Sequence, residues 1–354
     1  MEPYATRRER LRAKLHDTGK SAMLITRPAD RYYLSGFELS DPQCEETAGW
    51  LVVTAKGRDW LLTDPRYEGA AKRLWPAGDL FIYSSAKWDK ISRFLSELEL
   101  GALLFDPRAM SVETHAKLSA RVSLEPAADF AGELRRIKDA SEIALMRAAL
   151  AVNQAVFDAV PDMLVPGKTE ARVAWEMEKF CRDNGADAMS FATIVGVGPN
   201  AALPHAIPGE TVITEDCPVL IDLGTRLLGY CSDQTRTFWV GTRPPDYFRA
   251  TLERVQLAQL RAIEGLRPGL ALAEAYALAR DYFAELGVEK HFTHALGHGI
   301  GLEVHEYPSL APTSQGALAP GMVVTVEPGL YYPEWGGVRW EHMIHITDDG
   351  AQLL

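Results

Sequence analysis

One repeat limits the folds open to this chain more than any other feature. Pro166-Gly167 recurs as Pro268-Gly269, at an offset of 102 residues. Each pair precedes a helix-like segment, and each segment runs to a glycine, Gly185 in the first copy and Gly287 in the second. Pro-Gly sets a turn, and a glycine just past the last periodic position closes a helix. After each helix come a glycine-rich stretch and a pair of strand-like runs. The first pair carries Asp222 and Asp233, the second Glu327 and Glu341, at offsets of 105 and 108. Only small insertions therefore separate the copies. The pattern predicts two similar half-domains related by a pseudo-twofold axis, with their acidic strand pairs turned toward each other.

The acids sit where acids are costly. Asp222 follows the apolar run Val219-Leu220-Ile221, which reads as a buried strand. Asp233 opens the alternating run Asp233, Thr235, Thr237, and Gly224 and Gly229 bracket the turn between. A carboxylate in an apolar strand must be paired or bound to a cation. Two on neighbouring strands repel, and a divalent metal satisfies both. Of nine histidines, seven lie between residues 205 and 345, and His291, His294, His298 and His305 cluster in HFTHALGHGIGLEVHE. The apolar strand MVVTVEPGLYY carries Glu327, and GGVRWEHMIHIT carries Glu341 in another strand-like run. The candidate metal set is Asp222, Asp233, His298, Glu327 and Glu341. Oxygen ligands with a single imidazole suit Mn, Co, Fe or Zn. Four carboxylates able to bridge suit two ions better than one. Taken singly, each residue has an ordinary reading: a cap, a loop histidine, a turn, an Arg339–Glu341 pair on a solvated face. Those readings do not extend to all five together.

The segments NAALPH, IDLG with GYCSDQTRT, HALGHGIGLEVHE, VEPGLYY and GVRWE resemble, in order and spacing, the metallopeptidases of the pita-bread fold. Within that family they are similar to the proline peptidases, Xaa-Pro dipeptidase (prolidase) and Xaa-Pro aminopeptidase (aminopeptidase P). The resemblance spans essentially the whole chain. It implies an α+β protein with a smaller N-terminal α/β creatinase-like domain over 1–133 and a catalytic pita-bread domain over 134–354. It also implies two divalent ions per subunit, Mn or Co, with Zn or Fe sharing the ligand set. Asp233 and Glu341 would bridge both ions; Asp222 would bind one, and His298 and Glu327 the other. A shared water acidified by two cations would attack the scissile carbonyl, with Glu327 as proton shuttle. His205 and His305 would donate hydrogen bonds to the tetrahedral intermediate and bound peptide. His294 and Arg339 would line the substrate pocket or support the ligands. Proline specificity, short proline-containing peptides as substrates and a homodimer rest on the resemblance alone. One departure is visible. The family usually has an acidic residue directly after the last glutamate, and this chain has His342.

Other readings are weaker. A methionine-aminopeptidase-like enzyme would share the ligand pattern, but the large N-terminal domain and the NAALPH and GLEVHEYP segments argue against it. A creatinase-like C–N hydrolase does not need all five ligands. A non-catalytic pita-bread binding module would have lost some of them.

At 354 residues there is room for two domains and a large core. The net charge of −11 argues against nucleic acid or an anionic membrane as partner. The charged start, MEPYATRRERLRAKL, shows no signal-peptide pattern, and no unbroken apolar run reaches spanning length. Cys44, Cys181, Cys217 and Cys231 are scattered, which fits a reducing cytoplasm. In the first domain SAMLIT, GWLVVT, DWLLT, DLFIYS and ALLFD read as strands, with a hairpin turn at Lys56-Gly57. Lys87–Leu98 and Val112–Val122 read as helices, His115 lying exposed on the second. Asp139 with Glu142 predicts a capping box. Ile143, Met146, Leu150 and Phe157 form the stripe of the helix that follows, interrupted for a turn by Asn153 and Gln154.

Overall fold

A computed structural model describes residues 2–41 and 46–354, so Cys44 lies outside the described residues. The chain divides into two units, Met1–Arg135 and Arg136–Leu354.

The first unit is an α/β layer structure. Its elements are α1 (Glu2–Asp17), β1 (Ala22–Ile25), α2 (Pro28–Ser35), β2 (Gly49–Thr54), β3 (Trp60–Thr63), α3 (Glu68–Leu74), β4 (Leu80–Ile82), α4 (Lys87–Glu97), β5 (Leu103–Phe105), α5 (Val112–Ser119) and β6 (Leu124–Pro126). The strands form one sheet in the order β4-β3-β2-β1-β5-β6. The β2–β3 hairpin is antiparallel, while β1–β5 and β5–β6 run parallel. Every residue of β2 is buried, so both faces of the sheet are covered. Ile91, Leu95 and Leu118 of the helices pack with Leu24, Val52 and Leu103 of the strands. His115 is not fully exposed as expected. It is half-buried, its ring 5.3 Å from that of Phe105.

The second unit begins with α6 (Ala140–Met163) and α7 (Glu170–Asp183). Strands β7 (Ala188–Met189), β8 (Ile194–Val197), β9 (Cys217–Leu223), β10 (Thr225–Leu227), β11 (Tyr230–Cys231) and β12 (Gln234–Val240) complete its first half. Its second half has α8 (Asp246–Gly265), α9 (Leu272–Glu285), β13 (Gly297–Gly299), β14 (Glu306–Leu310), β15 (Val323–Val326), β16 (Gly329–Tyr332), β17 (Gly336–Arg339), β18 (His342–Thr347) and β19 (Gly350–Leu353). The repeat is structural. A sheet ordered β12-β9-β8 in one half matches the β13-β15-β18 core of the sheet in the other. The Pro-Gly turns do the same job twice. Gly167 donates to Ile213 and Gly269 to Leu318, at 2.9 and 2.8 Å, with φ of 95° and 82° that favour glycine. The halves meet where β12 runs beside residues 339–341. Glu341 N–H donates to Thr235 O at 3.2 Å, and Arg339 N–H to Thr237 Oγ1 at 3.2 Å.

Helix α6 is the spine of the first half. Its capping box forms as predicted, and Glu142 also accepts from Tyr230. The polar interruption splits. Gln154 is exposed, but Asn153 is completely buried. Its Nδ2 donates to Leu223 O at 3.1 Å, and its Oδ1 accepts from Ser232 Oγ at 3.1 Å. Asn153 therefore belongs to the core face and ties α6 to the turn between the two aspartates. By length and composition α6 is also apolar enough to cross a membrane. Met146, Val156, Phe157 and Val160 of this helix are buried in the fold.

Candidate active site

Strand pairing puts the first two acids on one face. Asp222 on β9 stands opposite Thr235 on β12, and Asp233 precedes Thr235 by two residues, so all three project the same way. Glu327 follows the last residue of β15. Glu341 lies not within a strand but between β17 and β18, beside Thr235 of the other half. His298 is central in β13, the short strand between β14 and β15. Gly297 is required there, since a Cβ would collide with the Thr325 carbonyl.

Side chains from both halves converge. Asp233, His298 and Glu341 bring ligand atoms within 4.8 Å of one another. His298 Nε2 lies 3.7 Å from Asp233 Oδ2 and 3.4 Å from Glu327 Oε1. Its Nδ1 is 3.1 Å from Gly299 O, which can only accept, so the proton sits on Nδ1 and the Nε2 lone pair faces the acids. Thr325 Oγ1 accepts from His298 N–H and donates to Glu327 Oε1, both at 3.0 Å. Thr235 Oγ1 donates to Glu341 Oε2 at 2.7 Å. Asp222 is not in that compact set, and Arg339 donates to its Oδ2 at 2.7 Å.

Arg339 is a buried hub. It also donates to Thr235 Oγ1, Tyr331 Oη and the Pro204 carbonyl, the residue before His205. Tyr331 in turn bonds His294 Nε2 at 2.8 Å, while His294 Nδ1 meets Ala295 O at 2.7 Å. Both ring nitrogens of His294 are thus engaged by the protein. His205 and His305 are exposed on the wall of the same cavity, and the His305 ring stands edge-on to His298 with centroids 4.2 Å apart. The cavity holds about 700 Å³, and Phe191, Ile194, Ile207 and Val304 line its apolar part.

The electrostatics are those of crowded buried acids. Burial, then the neighbouring Glu341 and Asp222 charges, pushes Asp233 well above the ordinary carboxylate range. Burial, then Glu327 and Asp222, does the same to Glu341. Burial raises Glu327 to about 7 against the opposing pull of Arg339. Burial and Arg339 push His294 down to about 4. Asp222 Oδ1, Asp233 Oδ1 and Glu341 Oε1 are buried with no hydrogen-bond partner. Orphaned carboxylate oxygens beside an imidazole lone pair are a costly arrangement that divalent cations relieve, so these residues fit a metal centre.

A family model for metallopeptidase family M24 matches residues 144–348, and one for the creatinase/prolidase N-terminal domain matches residues 7–137. This chain belongs to metallopeptidase family M24. The M24 chain is 32% identical over 348 residues to a Xaa-Pro dipeptidase of Pyrococcus furiosus, covering 98% of this chain and 97% of that one. The solved structure of a Xaa-Pro dipeptidase from Bacillus anthracis superposes with a TM-score of 0.91 at 36% identity, covering 99% and 97% of the two chains. An X-Pro aminopeptidase structure from Thermotoga maritima gives 0.89 at 27% identity, covering 98% and 96%. The pita-bread fold read from the sequence is thereby established, as is the proline-peptidase branch of the family.

Several polar groups of this M24 site had no role in the sequence reading: Thr325, Tyr331 and Gln259, and the hydroxyl of Thr235. Thr325 was detectable in part, since it precedes Glu327 by two residues and shares its face. Gln259 is a buried amide on the inner stripe of α8, which is apolar apart from it and Thr251.

Proposed function

We propose that the chain hydrolyses the peptide bond between a residue Xaa and a following proline, with two divalent ions, Mn or Co, held by Asp222, Asp233, His298, Glu327 and Glu341. The observation that carries this reading is the set of three unpartnered buried carboxylate oxygens gathered with the His298 lone pair. Four carboxylates in one place match the charge of two divalent cations. The names of the Pyrococcus, Bacillus and Thermotoga relatives support the Xaa-Pro bond as target. Ions bound there would polarise the scissile carbonyl and lower the pKa of a water from 15.7 to about 7.

The protein's own groups do the rest. Thr325 pins Oε1 of Glu327, which leaves the other oxygen to carry a proton toward the leaving nitrogen. His205 and His305, exposed on the cavity wall, donate to the substrate carbonyl oxygen as charge develops on it. His294 and Arg339, with their polar atoms engaged by protein partners, hold Tyr331, Asp222 and the His205 loop in place. Proline gives the scissile bond no N–H, so recognition on that side rests on cavity shape rather than backbone pairing. The buried free thiols Cys181, Cys217 and Cys231 suit a reducing cytoplasm, and homodimeric assembly follows from the family resemblance.

The test is a panel of Xaa-Pro dipeptides against Xaa-Pro-Yaa tripeptides, assayed after chelation and again after adding Mn or Co. Cleavage only with metal is expected. Preference for the dipeptides marks a dipeptidase, and preference for the tripeptides an aminopeptidase P. Full activity in verified metal-free protein, or cleavage of neither class with metal, overturns the proposal.

A further inference from the structure

Against the backbone that carries Glu327 and Glu341, three side chains that are not among the cavity's lining residues form a closed chain of hydrogen bonds. Gln259 of α8 is buried. Its Nε2 donates to Val326 O at 2.7 Å and to Trp340 O at 2.9 Å. These are the carbonyls directly preceding the two glutamates. Both amide hydrogens are then committed, so Gln259 Oε1 can only accept. It lies 2.9 Å from His342 Nδ1, which must carry the ring proton. His342 Nε2 is left with a lone pair, and it faces Arg236 Nη2 at 2.8 Å, a group that can only donate. Arg236 closes the chain through Nη1, which donates to Thr235 O at 2.8 Å and Glu341 O at 2.5 Å. Its guanidinium lies over the Trp340 ring at 4.4 Å. Every donor and acceptor has one consistent assignment.

We propose that Arg236, His342 and Gln259 act as positioning residues that fix the separation of the Glu327 and Glu341 carboxylates, and that His342 and Gln259 are a matched pair. This rests on the reading of those two glutamates as metal ligands. The chain grips backbone carbonyls at 235, 326, 340 and 341, from β12 through β15 to the start of β18. It therefore ties ligand-bearing segments of both half-domains to one helix. An acid at 342 would satisfy Arg236, but would set a carboxylate against Gln259 Oε1. Turning the amide over would repair that contact and face its oxygen toward two carbonyls instead. A side chain that donates on one side and accepts on the other completes the chain with Gln259 as it stands.

The variants His342→Phe, His342→Gln and His342→Asp test this, together with Gln259→Met as an independent break. Metal affinity is read by competition with a chelator, alongside kcat, KM and melting temperature. His342→Phe and Gln259→Met are expected to weaken metal binding by about 10- to 100-fold and to lower kcat with little change in KM. His342→Gln, which can donate to Gln259 and accept from Arg236, is expected to stay close to the parent. His342→Asp is expected to fall with the Phe variant. Parent-like metal affinity in both His342→Phe and Gln259→Met overturns the proposal. So does a fall in melting temperature alone, or equal damage from Gln and Phe at 342. If His342→Phe does not fold, Gln259→Met and the Gln–Asp contrast at 342 still decide. Failure of the parent protein to bind metal at all would overturn the metal reading instead.

Discussion

His305 and His298 are neighbours in space with different surroundings, and the difference sets what each can do. His298 is held by backbone partners with its lone pair toward Asp233 and Glu327, whereas His305 stands exposed at the cavity wall. His305→Ala is expected to lower kcat by about 100-fold while metal content stays normal, because a bond to developing charge acts on the transition state. His298→Ala is expected to lose metal as well as rate. Elemental analysis with kcat for the two variants checks this, and metal loss confined to the His305 variant would reverse the assignment. The ligand candidates were legible because an acid in an apolar strand is a local anomaly. The residues that orient them were not. Thr235 and Thr325 look like ordinary strand formers, and the partner of Thr235 is 106 residues away. Arg339 looked as suited to a solvated face as to the 2% exposure it has.

At the scale of elements, α6 shows how far periodicity reaches. The capping box was read correctly from spacing, as were Ile143, Met146 and Phe157 of the stripe, whereas Leu150 is only half-buried. Asn153 was read as a break in the stripe, because an amide on an apolar face earns its place only through partners that the helix itself does not contain. Those partners are the Leu223 carbonyl and the Ser232 hydroxyl, on either side of the turn between Asp222 and Asp233. Asn153→Leu is expected to destabilise the fold by about 1–3 kcal/mol, because it strands a buried carbonyl. Gln154→Leu, one residue along and exposed, is expected to stay within about 0.5 kcal/mol. Denaturant titration of both variants measures the contrast, and equal effects would place Asn153 outside the core network. The repeat was legible for a related reason: its Pro-Gly turns and closing glycines are demanded by local backbone geometry. The seam between the halves has no local signature.

For the whole molecule, the buried acids couple stability to pH and metal together. Asp233, Glu327 and Glu341 are raised in the metal-free fold, Glu327 to about 7. Between the ordinary carboxylate range near 4 and about 7, these acids hold protons in the folded chain that they have released in the unfolded one, so their own contribution to stability falls as pH rises across that window. Metal held by these acids, as proposed, would replace those protons. The gain in melting temperature on adding Mn or Co to chelated protein is expected to widen as pH rises from about 5 to about 7; the absolute curve also carries His294 and His342, which burial holds down to about 4 and which pull it the other way. Parallel curves with and without metal would show that these acids are not the ones being neutralised. The seam has a kinetic side too. Contacts such as Thr235–Glu341 and Arg339–Asp222 close loops of more than a hundred residues, and such contacts form late because their entropy is lost before they repay it. Each half-domain can gather its helices and strands locally, yet neither holds the complete set of proposed ligands. A refolding chain would therefore regain its helical signal first and its peptidase activity only when the two halves lock, so activity reports the last act of folding.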